Sequence, residues 1–456
     1  MLHDLDSEAA LDPARVGAKA AWLGRARRAG LPVLPGLVVD AAASLEHMSL
    51  GAERLADRGS GGARLAMTAA PLPFADELVS RAEHLGEVLV ARSSTSLEAS
   101  GEWSGAFTSY IDVAPAEVPR AVTGCWASAF SVAALERQSA AGIDAGSVAM
   151  AVLVQPAIEP QAGGTAHLEA DGLVAVTGVK GSPAPLLQGW VRGHAGPELV
   201  DVIGFESIAR VESVLRAAHE ATGANHCEWA LFDDEVWILQ LGHVESGRPR
   251  PIDPSPIDHR LTRIARIVAR YGGEAWERYL IGTGVGESTI TVLLGPDPGP
   301  ALDAIDQLDT SNAGDLRELV EQLDNEQEGR RQGVGRWEPF VASVVLGNGD
   351  RIQGTPASGG VGAGVVTRPA GSPLPVPPRR VLAAEQPVPG LAPLLWEAAA
   401  IVTETGSPAA HLFESARALR VPAVCGVTIP PGDWIVAVDG QDGLVATISL
   451  HEEDDV

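Results

Sequence analysis

His411 lies in the segment TGSPAAHLFESARALRVPAVCGV (405–427). Ser407 has the chemistry of a helix cap and Pro408 suits a first helical position, so His411 falls in the first turn. Free backbone N–H groups and the helix dipole favour an anion there. An imidazole so placed is suited to carrying a phosphoryl group; the plain alternative is an exposed helix histidine. In VLVARSSTSLEASGEWSGAFTSYIDV (88–113), Arg92 ends a strand that reads as buried. A guanidinium in that place needs an anion or a carboxylate, and two-pronged phosphate binding is its natural use. Ser93 and Ser94 add hydroxyls, and Gly101 and Gly105 give a loop whose N–H groups can lie on phosphate oxygens. The alternative there is a solvated serine-rich loop.

Two further stretches fit the same chemistry. In VGAKAAWLGRARRAGLPVLPGLVV (16–39), Gly17 lets backbone approach a phosphate and Lys19 offers a mobile ammonium. An ordinary amphipathic helix reads equally from these residues. Yet Lys19 and Lys180 are the only lysines among 33 basic residues, so a lysine kept at this place is notable. In CEWALFDDEVWILQ (227–240), two strands alternate around Asp233-Asp234-Glu235. Pairing Phe232 with Val236 puts Glu228 opposite Gln240, both on one face. An acid beside an amide offers oxygens to Mg²⁺, a hard ion; a Glu–Gln hydrogen bond is the alternative.

Taken together, these segments resemble the PEP-utilising enzymes: pyruvate phosphate dikinase, PEP synthase and rifampin phosphotransferase. The resemblance rests on IVTE, Gly406, His411, Arg417 and Val421-Pro422-Ala423-Val424, with GTPASGGVGAG (354–364) leading in and VDGQDG (438–443) closing. It rests also on the Gly-x-Lys, RSS and E-W-A…L-Q segments. It implies a phosphohistidine at His411, with Arg92 assisting. It implies nucleotide contacts from Lys19, Arg92, Ser93, Glu98, Gly101, Gly105, Gln155 (on the adenine side) and Lys180, and Mg²⁺ on Glu228 and Gln240. There are departures: Gly242 stands where the family has an arginine. Ser407, Pro408, Ala409 and Ala410 replace a segment with a second glycine and a Thr or Ser before the histidine. The remaining histidines, His226 and His243 among them, have no second ligand at metal spacing and read as structural.

Strands are expected at Val33–Val39, Val88–Ala91, Ser109–Val113, Val148–Gln155 and Gly172–Thr177, with two more near 227–240. Helices are expected at 17–29, 116–141, 205–222, 259–280, 314–330 and from about 408. GSGGA (59–63) reads as a flexible loop. The Pro-rich stretches 246–256 and 369–378 mark boundaries and candidate hinges. The fold class is therefore α/β (α+β, multidomain). An ATP-grasp-type ATP-binding domain is expected over 1–245, a mainly helical linker or acceptor region over 246–349, and a swivelling phosphohistidine β/α domain over 350–450. The expected chain has neither the TIM barrel of the dikinases nor the large acceptor domain of rifampin phosphotransferase.

A net charge of −26 gives no basic face for nucleic acid or for an anionic membrane surface. No run of apolar residues reaches the ~18 of a spanning helix. The N-terminus has no signal pattern, and three scattered cysteines read as reduced, buried thiols. The expectation is a cytoplasmic phosphotransferase using ATP and Mg²⁺. It passes the β-phosphoryl group through His411 to a hydroxylated small molecule or a separate protein, with AMP and phosphate released. An ATP-grasp ligase forming ADP and a degenerate ATP-binding or carrier protein stay open as alternatives.

Overall fold

The computed structural model describes residues 1–169, 171–243, 258–295, 298–305, 337–369 and 380–451. It is a mixed α/β structure of two compact units. The first comprises Met1–Ser246, Gln386–Trp396 and Ala409–Leu419; the second comprises Gly247–Glu385, Glu397–Pro408 and Arg420–Val456. The expected hinge 246–256, most of 369–378 and the helix 314–330 lie outside the described residues.

The first unit carries two antiparallel sheets. One consists of β1 (Leu2–Asp4), β2 (Leu37–Val39), β3 (Leu89–Ser94), β4 (Ser109–Val113) and β5 (Ala151–Pro156), in the order β1-β2-β5-β3-β4. The other consists of β6 (Ala162–Leu168), β7 (Val174–Lys180), β8 (His194–Ala195), β9 (His226–Phe232) and β10 (Glu235–Gly242), in the order β10-β9-β6-β7-β8. Strand β5 explains why two cores coexist. Side chains alternate across a strand; Val152 and Val154 enter a core with Trp126 and Phe130, while Ala151 and Leu153 enter another with Leu23 and Trp229. Such double burial reads as a continuous apolar run, as in MAVLV. Cys125, Cys227 and Cys425 are buried, as expected, and stand outside disulfides in this structure; burial pushes the Cys125 and Cys227 thiols up to about 12.

Helix boundaries follow local chemistry. Phe205–Thr222 matches the expected helix and sits between Gly204 and Gly223, the latter left-handed at φ 82°. The expected helix 116–141 is two, Val118–Ala127 and Val132–Ala140, because Ser131 adopts an extended backbone and caps Ala134 N–H with its side chain. The segment GSGGA is no loop. It continues the helical stretch Leu45–Ala69, whose geometry breaks only at Gly59 (φ 66°).

The second unit is built on an eight-stranded sheet. Its strands are β11 (Asp350–Gln353), β12 (Thr355–Ser358), β13 (Val361–Thr367), β14 (Arg380–Ala384), β15 (Ala398–Thr403), β16 (Ala423–Cys425), β17 (Trp434–Asp439) and β18 (Leu444–Ser449). The order is β11-β18-β17-β13-β14-β15-β16-β12, with β13, β14, β15 and β16 parallel to one another. Buried parallel strands lose polar alternation, and β15 is AAAIVT, buried throughout. On β17, Ile435 and Ala437 join a core with the helices Arg260–Tyr271 and Trp337–Asn348, while Val436 and Val438 join the opposite core. The described helical residues of 258–348 thus share a core with this sheet. No described helix is long and apolar enough to cross a membrane.

Candidate active site

The site belongs to the first unit and forms where the end of β3, the helix Pro13–Arg28, the β9–β10 hairpin and the helix His411–Ala418 bring polar groups together. Asp12 caps the helix Pro13–Arg28 through Ala14 N–H. The helix then breaks at Gly17, whose φ is 74°. A Cβ there would stand 2.3 Å from the Ser94 backbone. The break lets the end of β3 dock on the restarted helix: Ala18 N–H donates to Thr95 O and Ala20 N–H to Ser94 Oγ, which itself donates to Val16 O. Lys19 is thereby aimed at Ser93 O (3.1 Å) and Glu98 Oε1 (3.0 Å). The other Glu98 oxygen closes a capping box on Thr95. Gly17→Ala is expected to cost about 1–3 kcal/mol from backbone strain alone. A lowered thermal midpoint checks this; an unchanged midpoint would show that the close approach at Ser94 is dispensable.

Arg92 projects from β3 onto the hairpin. It donates to Leu239 O and to Gln240 Oε1 (3.3 Å), and lies 3.5 Å from Glu228 Oε2. The hairpin corrects the expected register. Phe232 pairs with Glu235, not Val236, because Asp233 (φ 51°) and Asp234 (φ 61°) form a two-residue turn with both central residues left-handed. A bulge between Ile238 and Gln240 then adds one residue, so Glu228 still faces Gln240. The residue so added is Leu239, whose carbonyl Arg92 uses. Glu228 is 3% exposed, and its Oε1 has no hydrogen-bond partner among the described residues.

His411 opens its helix, but Ser407 does not cap it. Ala410, in an extended backbone conformation, is the N-cap and makes no side-chain cap. His411 therefore stays in the first turn for a different local reason. The loop Gly101–Gly105 lies on this helix: a Cβ on Gly105 (φ 64°) would sit 3.2 Å from His411 Cδ2. Buried Arg137 fixes the loop by donating to Ser104 O and Pro389 O, both at 2.9 Å. With no carboxylate among these partners, burial lowers its pKa to about 10. Trp103 stacks on Phe107. Ser104 Oγ lies 2.8 Å from His411 Nδ1 and donates to Glu414 Oε2, itself 3.3 Å from Nδ1. His226 Nε2 stands 3.0 Å from Glu414 Oε1, within ion-pair distance although not aligned as a hydrogen bond. Burial opposes a charged His411 ring, yet Glu414 and the charge of Glu228 outweigh it and Lys19, so its pKa rises above 6.5. Burial would raise the Glu414 carboxyl, but His226 and His411 hold it well below its ordinary value.

The structure thus gathers Lys19, Arg92, Glu98, Glu228, Gln240, Gly105 and His411. Glu228, His411 and Glu414 each offer a metal-ligating atom within 4.8 Å of the others. Other expected residues stand apart. Gln155 is buried and donates to Leu34 O. Lys180 is exposed at the end of β7, and its side chain makes no hydrogen bond or ion pair among the described residues. Ser93 is buried, with no partner for its hydroxyl among the described residues. A cavity of about 310 Å³ is lined by Gly17, Ser96, Val148 and Ala149 among others, not by the charged residues. Ser104, Glu414 and His226 were not expected at the site. Only the three-residue spacing of His411 and Glu414, one helix face apart, hinted at it.

With this geometry in view, two family patterns match the chain. The AMP/ATP-binding domain of pyruvate phosphate dikinase matches residues 66–181, and the mobile domain of PEP-utilising enzymes matches 376–443. Both matched patterns are domains of the PEP-utilising enzyme family. The first match includes Arg92, Glu98, Gly101 and Gly105, and the second includes His411. Lys19, Glu228 and Gln240 fall outside both and are tied in by their contacts alone. An uncharacterized protein of Mycobacterium bovis and two from strains of Mycobacterium tuberculosis are each 36% identical over 128 residues, 26% of this chain and 15% of the relative. The chain thus spans only 15% of the length of these curated relatives. The two matched stretches are thus similar to a nucleotide-binding domain and a mobile domain of PEP-utilising enzymes.

Proposed function

We propose that this chain passes the β-phosphoryl group of ATP through His411 to a hydroxylated small molecule or a separate acceptor protein, releasing AMP and phosphate. The observation that carries the reading is His411 held at Nδ1, in the unit that also holds Lys19 and Arg92. Phosphoryl transfer demands mostly positioning and charge stabilisation, and two cations and a nucleophile provide both. Lys19 and Arg92 neutralise phosphate oxygens after exchanging contacts with Glu98, Gln240 and Glu228. In this reading the Gly101–Gly105 loop and Ser93 add nucleotide contacts, and Gln155 and Lys180 join them only after moving, Gln155 by releasing Leu34 O. His411 Nε2 attacks the β-phosphorus as the bond to the AMP oxygen breaks; water then removes the γ-phosphate. The covalent carrier splits one transfer into two.

Mg²⁺ fits Glu228 and Gln240. A buried carboxylate oxygen without a partner among the described residues, opposite an amide oxygen, is a hard-ion donor set. The ion would supply further neutralisation of phosphate charge. In this reading 1–245 is an ATP-grasp-type domain and 350–450 a swivelling domain. The stretch 246–349 is a linker or acceptor region, and 246–256 and 369–378 are hinges. The reaction is placed in the cytoplasm, consistent with the three cysteines standing outside disulfides.

Incubation with Mg²⁺ and ATP labelled at the β-phosphorus tests the proposal. Acid-labile protein label with AMP formed is the expected result. ADP with unlabelled protein would replace this reading by a carboxylate-activating ligase. ATP binding without turnover would replace it by a non-catalytic carrier.

A further inference from the structure

The residue that caps the His411 helix, Ala410, makes no side-chain cap, and the groups that reach His411 Nδ1 come from elsewhere. Ser104 arrives from a loop more than three hundred residues earlier in sequence, and Glu414 from one helical turn onward. We propose that Glu414, held by Ser104 and His226, is a positioning residue that keeps the proton of His411 on Nδ1 and leaves Nε2 as the nucleophile. This rests on the phosphocarrier reading of His411.

Donor inventory carries the argument. A serine hydroxyl has one proton, and an ionised carboxylate only accepts. Ser104 donates that proton to Glu414 Oε2, so its oxygen, 2.8 Å from His411 Nδ1, is left to accept from an N–H at that nitrogen. Nδ1 also has Glu414 Oε2 at 3.3 Å, a second acceptor for the same proton. In the neutral ring the lone pair is then on Nε2. Glu414 cannot easily turn away: it is 4% exposed, lies in the first turn where a carboxylate is favoured, and has His226 Nε2 3.0 Å from its other oxygen. Ser104 is fixed in turn by the bond from Arg137 to its carbonyl, and the ring is backed by Gly105.

During attack, the Nε2–P bond forms and the leaving oxygen takes the electron pair of the breaking P–O bond. The ring gains positive charge while its proton stays on Nδ1. The carboxylate faces that charge across the Nδ1–H, the role that a buried acid plays toward the histidine of a hydrolytic triad. Glu228 and Lys19 also act on the ring, with opposite signs, so Glu414 is the hydrogen-bonding member of a larger charge set.

Histidine ¹⁵N NMR and phosphoenzyme labelling on full-length wild type, E414Q and S104A test this. The wild type is expected to show His411 as the Nδ1–H tautomer. E414Q should lose that preference and label about 100-fold more slowly, mainly through kcat, since the carboxylate meets the Gly101–Gly105 loop through the Ser104 hydroxyl and not through the backbone N–H groups expected on phosphate. S104A removes only a hydroxyl and should slow labelling about 10-fold in the same way. Labelling and tautomer both unchanged in E414Q would overturn the positioning role while leaving the carrier reading intact. Should E414Q fold poorly, a wild-type rate and tautomer in S104A would overturn the positioning role equally. A wild type with the Nδ1–H tautomer that takes no label would overturn the carrier reading, and the positioning role with it.

Discussion

His411→Gln is expected to lower acid-labile labelling at least ~1,000-fold, because the only nucleophile proposed for the transfer is gone. Glutamine has nearly the reach of histidine, and its amide N–H can donate to Ser104 Oγ or Glu414 Oε2 in place of Nδ1–H. The Glu414 carboxylate therefore keeps Ser104 and His226 as partners, and the folding cost should be no more than about 1 kcal/mol. Nucleotide binding should survive, since Lys19 and Arg92 are untouched. Labelling, nucleotide products and thermal unfolding measured on one preparation separate these effects. A variant that still takes up acid-labile label would place the phosphoryl group on another residue. One that unfolds would show that the imidazole is mainly a structural link between Ser104 and Glu414.

That result bears on how far sequence alone reaches. Strand Ser109–Val113 and helix Phe205–Thr222 are legible from it because a run of β-forming residues and an apolar helical period are local signals. The placement of Glu228 opposite Gln240 is also legible, but for a reason only partly right. A two-residue turn shifts the hairpin by one, and a bulge shifts it back. A bulge at Leu239 has no sequence signature; what stabilises it includes the Arg92 bond to its carbonyl, a contact across 147 positions. His226 reads as structural because sequence shows only the ligand spacing that it lacks. Its partner Glu414 is far along the chain, and nothing local announces the pair. Ser407 has the right chemistry for a cap, yet the helix starts three residues later than that chemistry requires. Local propensity is overruled where tertiary contacts fix the backbone, and here those contacts belong to the candidate site.

The same contacts make Arg92 the residue whose loss should be felt in both fold and activity. Arg92→Met keeps much of the apolar stem but leaves Glu228 with a buried, uncompensated carboxylate. Removing one member of a buried ion pair costs about 3–5 kcal/mol; the 3.5 Å separation here puts the expectation near the lower end, about 3 kcal/mol. The carbonyl of Leu239 and the Gln240 amide lose a donor as well. Adding Glu228→Gln removes the stranded charge, so the double variant should regain most of the lost stability, and the double-mutant cycle measures the coupling. Arg92→Lys should fall between: the charge is kept, but one ammonium lacks the planar fork that serves three acceptors at once. Phosphoenzyme formation should drop about 100-fold or more in all three, because stability can be restored without restoring the group that meets developing phosphate charge. Thermal midpoints and labelling rates across the set decide the matter. Wild-type stability in Arg92→Met would mean that Glu228 is not ionised against it. Full labelling in the double variant would mean that the guanidinium only holds the hairpin in place.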